Sequence, residues 1–225
     1  MGARKVALLL FALLVVLILA PTHSLQSSRT IRYVNKSAPT CGGHRPCYAA
    51  PQSAVNAALP GETVLIQAGV YDAPLSIDGK NNTPTATEAN RILITADPAA
   101  PVGSVVLKGA GQSGALGEGV VLNTSKFITV RGLTITKMEG RAIVLDEGKG
   151  ATDEVHLERN RIFGNGLHQC RSGILVRGGN TNTLIVNNLI YGNGRHGLRW
   201  VPRVTCSPVL NELMGRRAAR GTLRR

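Results

Sequence analysis

Apolar residues along this chain recur on two periods at once. Over short distances they alternate with polar ones, as in "TVLI", "RILITA", "SVVLKG" and "GVVLN", and Gly, Pro or Asn closes each run. Such runs read as strands. Over a longer distance the whole pattern returns. "VHLERNRIFGNG" (155–166) and "TLIVNNLIYGNG" (183–194) superimpose without a gap, so that Leu157, Asn160 and Ile162 fall on Ile185, Asn188 and Ile190. The register reaches back to Val130, Leu133 and Ile135, with shifts of 27 residues from Ile135 to Ile162 and 28 from Ile162 to Ile190. A near-constant period of this size marks a repeat architecture. A sandwich of hairpins with chance Asn-Gly turns gives no reason for gapless matches at one period.

The spacing also predicts how each repeat is bent. Side chains on a strand alternate between faces, so an apolar-x-x-Asn-x-apolar line needs a corner near the Asn. An inward Asn amide at that corner can donate and accept along the stack, to the coils above and below. Gly-Asn-Gly then supplies positive φ for the next turn. A second strand family follows, with Ile143 and Leu145, then Ile174 and Val176, each behind a small residue, Ala142 or Gly173. The reading is an all-β solenoid of parallel strands, about four to six coils long. Ile135, Ile162 and Ile190 should share one inward column, with Asn160 beside Asn188. Ahead of the strands, "AAPQSAVNAALPG" (49–61) reads as a short helix: Pro51 suits a first turn, Val55, Ala58 and Leu59 share a face, and Pro60-Gly61 stops it. Its expected work is to cover the open apolar end of the column.

The chain's beginning reads as a leader rather than as fold. Arg4 and Lys5 precede an unbroken apolar run from Val6 to Ala20, then Pro21-Thr22-His23-Ser24. This is the pattern of a secretory signal peptide, assigned to residues 1–24, the alternative being an uncleaved anchor, and the run is shorter than the ~20 residues of a spanning helix. Export makes an oxidising setting. There Cys41 and Cys47 of "CGGHRPC" are expected to pair, the alternative being two separate buried thiols. Cys170 and Cys206 are left without an assigned partner. Residues 25–60 are then an N-terminal strand and cap, and 61–198 the coils.

With the repeat and cap in place, residues 33–77, "YVNKSAPTCGGHRPCYAAPQSAVNAALPGETVLIQAGVYDAPLSI", resemble the opening of secreted right-handed parallel β-helix proteins of the pectate-lyase-like superfamily. The carriers are the Tyr-Val strand, the Cys-to-Pro-Cys segment, the cap helix, Pro-Gly-Glu-Thr-Val and Gly-Val-Tyr. "VNNLIYGNG" resembles the repeat unit of that superfamily, and the likeness runs from about Ile31 to Leu198. It implies a right-handed parallel β-helix with a short N-terminal capping helix. It leaves the activity open, because the superfamily holds lyases, hydrolases, epimerases and proteins without catalysis.

A polyuronate lyase needs a cation to neutralise the sugar carboxylate, usually Ca²⁺ on Asp and Glu, and a Lys or Arg base. The tight acidic group in this sequence is "LDEGKGATDEVHLER". Asp146, Glu147, Asp153 and Glu154 are its candidate Ca²⁺ ligands, and Lys149, Arg159 and Arg177 its candidate bases. The same residues could equally be turn acids and surface charges that solvate a loop. The Asn-Thr-Asp, Asp-Asp and Gly-His-Gly set of polygalacturonase-like β-helices is missing; Arg195-His196-Gly197 echoes a fragment of it. His168 and Cys170 read as loop.

Beyond Leu198 the pattern gives way. Seven Asn occur between 155 and 198 but one after it, while the tail (199–225) holds seven Arg. Against Glu212 these supply +6 of the formal +13, so the pI of about 10.4 overstates how basic the folded part is. The tail could be a frame-shifted or truncated end, a cationic amphipathic tail, or a nucleic-acid-binding arm; loss of pattern in mid-coil favours the first. No nucleic-acid-binding motif is present, so no such partner is expected, nor any membrane contact beyond the signal segment. Three functions follow as expectations. One is a secreted or envelope β-helix that binds or cleaves an acidic polysaccharide. The others are a non-catalytic surface or adhesion β-helix and an inactive fragment of a longer one.

Overall fold

The computed structural model describes residues 29–72, 74–109, 117–167 and 171–201 in full, and residues 211–212 as backbone. The expected signal segment, His168, Cys170, Cys206 and most of the tail lie outside the described residues. The structure opens on β1 (Ile31–Val34), β2 (Cys47–Tyr48) and helix α1 (Pro51–Ala57). Five coils follow, each adding one strand to each of three sheets. The first holds β3 (Thr63–Ile66), β4 (Gly69–Asp72) and β5 (Leu75–Asp78). The second holds β6 (Ile92–Ala96), β7 (Val105–Lys108) and β8 (Val120–Asn123), and the third β9 (Lys126–Arg131), β10 (Thr134–Thr136) and β11 (Ile143–Leu145). The fourth holds β12 (Asp153–Glu158), β13 (Arg161–Phe163) and β14 (Ile174–Arg177). The fifth holds β15 (Leu184–Val186), β16 (Leu189–Tyr191) and β17 (Leu198–Val201), and β18 (Asn211–Glu212) begins a sixth turn.

Sheet A runs β2-β1-β3-β6-β9-β12-β15-β18, sheet B β4-β7-β10-β13-β16, and sheet C β5-β8-β11-β14-β17. Every pairing is parallel. The fold is a right-handed parallel β-helix, as the repeat and the resemblance implied.

The core is a set of columns. Val64, Ile94, Val130, Leu157 and Ile185 align in sheet A. Tyr71, Leu107, Ile135, Ile162 and Ile190 align in sheet B. Ile77, Leu122, Leu145, Val176 and Trp200 align in sheet C. All are buried except Ile190 and Trp200, in the last complete coil, which are partly so. The sheet C strand runs through Val201 rather than ending at Leu198, because Leu198 and Trp200 keep the inward alternation for one more pair.

The corner from sheet A to sheet B shows how the sequence sets the bend. Gly132, Arg159 and Asn187 stack there with φ of 73, 54 and 56°. The next residues, Leu133, Asn160 and Asn188, point inward. Asn160 Oδ1 accepts from the Leu133 N–H (3.1 Å), and its Nδ2 donates to the Val130 carbonyl (3.0 Å) and Asn188 Oδ1 (3.0 Å). Asn188 repeats this one coil on, accepting from the Asn160 N–H and donating to the Leu157 carbonyl. Each amide satisfies buried backbone groups that the turn would otherwise leave unpaired, at about 1–3 kcal/mol apiece. Asn165 and Asn193 form a second such ladder, at the exit of sheet B.

Helix α1 closes the first coil. Pro51, Ala54 and Val55 are buried, while Gln52 exchanges two hydrogen bonds with the main chain of Ser76. That covers the free edge of β5, the outermost strand of sheet C, which would otherwise offer a template for pairing. Lys80 Nζ caps the helix end by donating to the carbonyls of Asn56 and Ala58. Leu59, expected on the buried face, is exposed: Ala58 already has extended backbone (ψ 132°), and a residue before proline disfavours the helical region. The expected disulfide is present, with Cys41 and Cys47 Cα atoms 5.7 Å apart. It fastens a 3-10 turn (Cys41–Gly43) to β2.

Candidate functional site

The corner from sheet C to sheet A carries six of the seven residues singled out in the sequence, all but Arg159. A left-handed residue also makes this bend: Phe127, Glu154 and Asn182 stack at φ 49, 54 and 46°. The kink at Glu154 sends neighbouring side chains different ways, and the four acids do not converge. Asp146 Oδ1 accepts from the N–H groups of Glu147 and Gly148 and meets Arg177 Nη1 at 3.3 Å. Asp153 accepts from Thr181 Oγ1 (2.6 Å) and Asn182 Nδ2 (2.9 Å) in the next coil. Glu154 turns toward Arg91 (3.6 Å), and Glu147 lies beside Gly179. Among the described residues no three His, Cys, Asp or Glu side chains gather as a metal site would need. The quartet expected from the sequence is therefore spread over four surroundings rather than joined in one Ca²⁺ site.

The candidate bases are separated in the same way. Lys149 Nζ pairs with Asp78 Oδ2 at 2.8 Å, and that hydrogen bond raises the ammonium's pKa, the wrong direction for a base near neutrality. Arg177 is engaged with Asp146. Arg159 is exposed at the other end of β12, in the left-handed position of the A-to-B corner, roughly 15 Å along the strand from Glu154. Nearness in sequence across a strand became distance in space.

A second group assembles on the outer face of sheet A, where the connection from residue 79 to 91 leaves and re-enters the coil. An open groove there is lined by Arg29, Glu88, Ala89, Arg91, Leu93, Thr129 and Arg131. Arg91 is its hub and spans three coils. Its Nη1 donates to the carbonyls of Ile128 (3.3 Å) and Glu154 (2.6 Å), its Nε and Nη2 bind Glu88, and its Cζ lies 5.5 Å from the Phe127 ring centre. So saturated, Arg91 is a clamp rather than a ligand-binding group. The Arg91 hydrogen bond holds the Glu88 carboxyl below the usual carboxylate range. Nη2 also sits 3.3 Å from His156 Nε2, which must therefore accept. Burial first, and the Arg91 charge second, push His156 below its ordinary pKa and keep the ring neutral.

The groove's two other cations are more available. Arg29 donates to the Ala89 carbonyl (3.0 Å) and has no ion pair among the described residues. Arg131 places Nε and Nη2 on Glu158 and is about two-fifths exposed. Sequence reasoning missed this face, although a signal was present. Thr129 and Arg131 alternate outward on β9, and one period later His156 and Glu158 stack on them. Arg29 and Arg91 carried no such signal, because excursions outside the repeat bring them in.

With this geometry the class of the fold is plain: it is the pectate-lyase-like right-handed β-helix. Residues 100–197 match the sequence model of the NosD family, described as periplasmic copper-binding protein. Among solved structures, pectate lyase Pel9A superimposes with a TM-score of 0.55 at 16% identity, over 74% of this chain and 40% of that one. A mannuronic acid specific polysaccharide family 6 lyase from human gut microbiota gives 0.45 at 14%, over 69% and 33%. An alginate lyase from Paenibacillus sp. str. FPU-7 gives 0.38 at 17%, over 79% and 61%. This chain thus spans less than two thirds of the length of each. No curated protein sequence matches it. The described soft and imidazole donors in the NosD-like stretch do not fit a copper site. Met138 is buried in the core, His156 faces sheet A, and His196 lies exposed in the turn before sheet C.

Proposed function

We propose that this chain is an extracytoplasmic β-helix that binds an acidic polysaccharide in the groove on sheet A. The observation that carries the reading is the pair of accessible guanidinium groups, Arg29 and Arg131, beside a floor of half-buried Leu93 in an open trough. Guanidinium forks match carboxylates, and an apolar floor between them suits a sugar ring. The shared fold with a pectate lyase, named for an acidic polymer, and a partial match to a periplasmic family agree with that substrate class and compartment. Binding is favoured over cleavage, because Lys149 is held protonated by Asp78 and His156 Nε2 is occupied by Arg91.

The test is affinity electrophoresis of the full chain in gels holding polygalacturonate, alginate or a neutral glucan. Retardation is expected in the acidic gels alone, falling as salt rises. The Arg29→Ala/Arg131→Ala double variant should lose most of it. Equal retardation of the double variant would remove the groove, and no retardation of the parent chain would remove the reading.

A further inference from the structure

The outer face of sheet C carries a column of oxygen ligands that the polysaccharide reading does not use. Asp78 stands opposite Asn123 in the pairing of β5 with β8. Leu145 pairs with Leu122, and the Asp146 N–H donates to the Leu122 carbonyl, so the next position brings Asp146 alongside Asn123 from the other side. Two carboxylates therefore flank one amide in three successive coils. Asn123 is only 6% exposed, and its Oδ1 is buried without a hydrogen-bond partner. Its main-chain carbonyl is separately engaged, by the Gly79 N–H and Ser125 Oγ. A buried amide oxygen left without a donor is costly unless something positive reaches it.

The surroundings supply positive charge in a replaceable form. Lys149 reaches over from the 146–150 turn to Asp78 Oδ2, yet its side chain is 71% exposed and free to swing outward. Arg177 meets Asp146 through Oδ1, the same oxygen that takes the Glu147 and Gly148 N–H groups. The other carboxylate oxygen, Oδ2, has no hydrogen-bond partner among the described residues.

We propose that Asp78, Asn123 and Asp146 form a site for a hard divalent cation, Ca²⁺ in the first place, which ties three coils together on sheet C. Neighbouring coils lie ~4.8 Å apart, about twice the ~2.3–2.6 Å of a Ca²⁺–oxygen bond. A cation at Asn123 Oδ1 is thus in reach of carboxylates from the coil on either side, with water completing its shell. Only Lys149 has to leave. The site is structural: it joins three coils on sheet C, away from the groove on sheet A. It differs from the sequence-expected quartet, sharing Asp146 alone, and it stands whether or not the groove on sheet A binds sugar. With two charged ligands the affinity belongs to the weak class, Kd ~0.1–1 mM.

The experiment is thermal unfolding of the full chain, with Ca²⁺ or Mg²⁺ titrated from micromolar to ~10 mM. Ca²⁺ should raise Tm saturably and Mg²⁺ should raise it less. Asp78→Asn/Asp146→Asn should abolish the rise. Lys149→Gln, an exposed change that leaves the fold intact, should lower the half-saturating Ca²⁺ concentration several-fold by removing the competitor. Asp153→Asn/Glu154→Gln should leave the rise unchanged. No Ca²⁺-dependent rise in the parent chain, a rise that survives the Asp78/Asp146 pair, or one lost with Asp153 and Glu154 would overturn the site.

Discussion

The two corners that flank sheet A are built on opposite rules. From A to B the connection is two residues long in four of the five coils, and from the third coil onward a left-handed residue is followed by an inward Leu or Asn. From C to A the connections run from two residues, 124–125, to thirteen, 79–91. The first corner is fixed in the later coils because each inward amide must meet backbone groups of the coil before it. At the second, the bend residue is stacked but the preceding loop is free to vary. Lys149, Asp146 and the excursion that carries Glu88 all come from those variable loops. Constant corners hold the fold; variable ones present its chemistry.

The largest effect that could break this contrast comes from exchanging Asn160 and Arg177 in turn for Ala. Asn160 is fully buried and serves the Leu133 N–H and the Val130 carbonyl. Asn160→Ala strands both, at about 1–3 kcal/mol each, so urea denaturation should show a loss of several kcal/mol. Arg177→Ala removes a partly exposed ion pair with Asp146 and should cost less than about 1 kcal/mol. Comparable losses from the two would mean that the C-to-A corner is as structural as its neighbour.

A middle-sized effect belongs to the cap. The Cys41–Cys47 bridge closes a short loop, with a separation of 6 residues, and fastens it to β2, the terminal strand of sheet A. Replacing both by Ser should cost about 2 kcal/mol by loop entropy. If the coils are cooperative with the cap, circular dichroism and Trp200 fluorescence, at the far end, should report one shifted transition. Two separated transitions would show that the cap melts alone.

What could be read in the sequence follows the same division. Ile135, Ile162 and Ile190 were visible because an inward column demands an apolar residue at each turn, and Asn160 and Asn188 because a buried amide must repeat to be satisfied. The disulfide was visible from two cysteines six apart. The outward chemistry was not legible, since solvent tolerates nearly any residue there and imposes no period. Asp146, Glu147, Asp153 and Glu154 looked like one cluster because they are close in sequence. The left-handed residue at 154 and the strand's alternation disperse them. Asp78, Asn123 and Asp146 are far apart in sequence, and only the coil register makes them neighbours.

The smallest effect expected is a pH dependence on sheet A that sharpens the comparison from its outer face. His156 faces Arg91 at 3.3 Å, Glu158 at 3.6 Å and Glu154 at 3.9 Å, with Glu88 across the clamp. Burial, then the Arg91 charge, lowers its pKa in the folded chain, against the pull of the three glutamates in the other direction. As pH falls through about 6.5, the ordinary value, the unfolded chain therefore binds a proton that the folded chain still refuses. The stability present above that pH is lost progressively until the folded value is reached, with a slope of at most ~1.4 kcal/mol per pH unit for one proton. His156→Gln keeps an acceptor for Arg91 and removes the titration. Urea midpoints between pH 5.5 and 7.5 should accordingly vary less in the variant than in the parent chain. An unchanged pH profile would show that the glutamates cancel burial and Arg91 together. A parent chain relatively more stable than the variant at the acid end would show that they outweigh both, and that the outer face gains rather than loses by protonation.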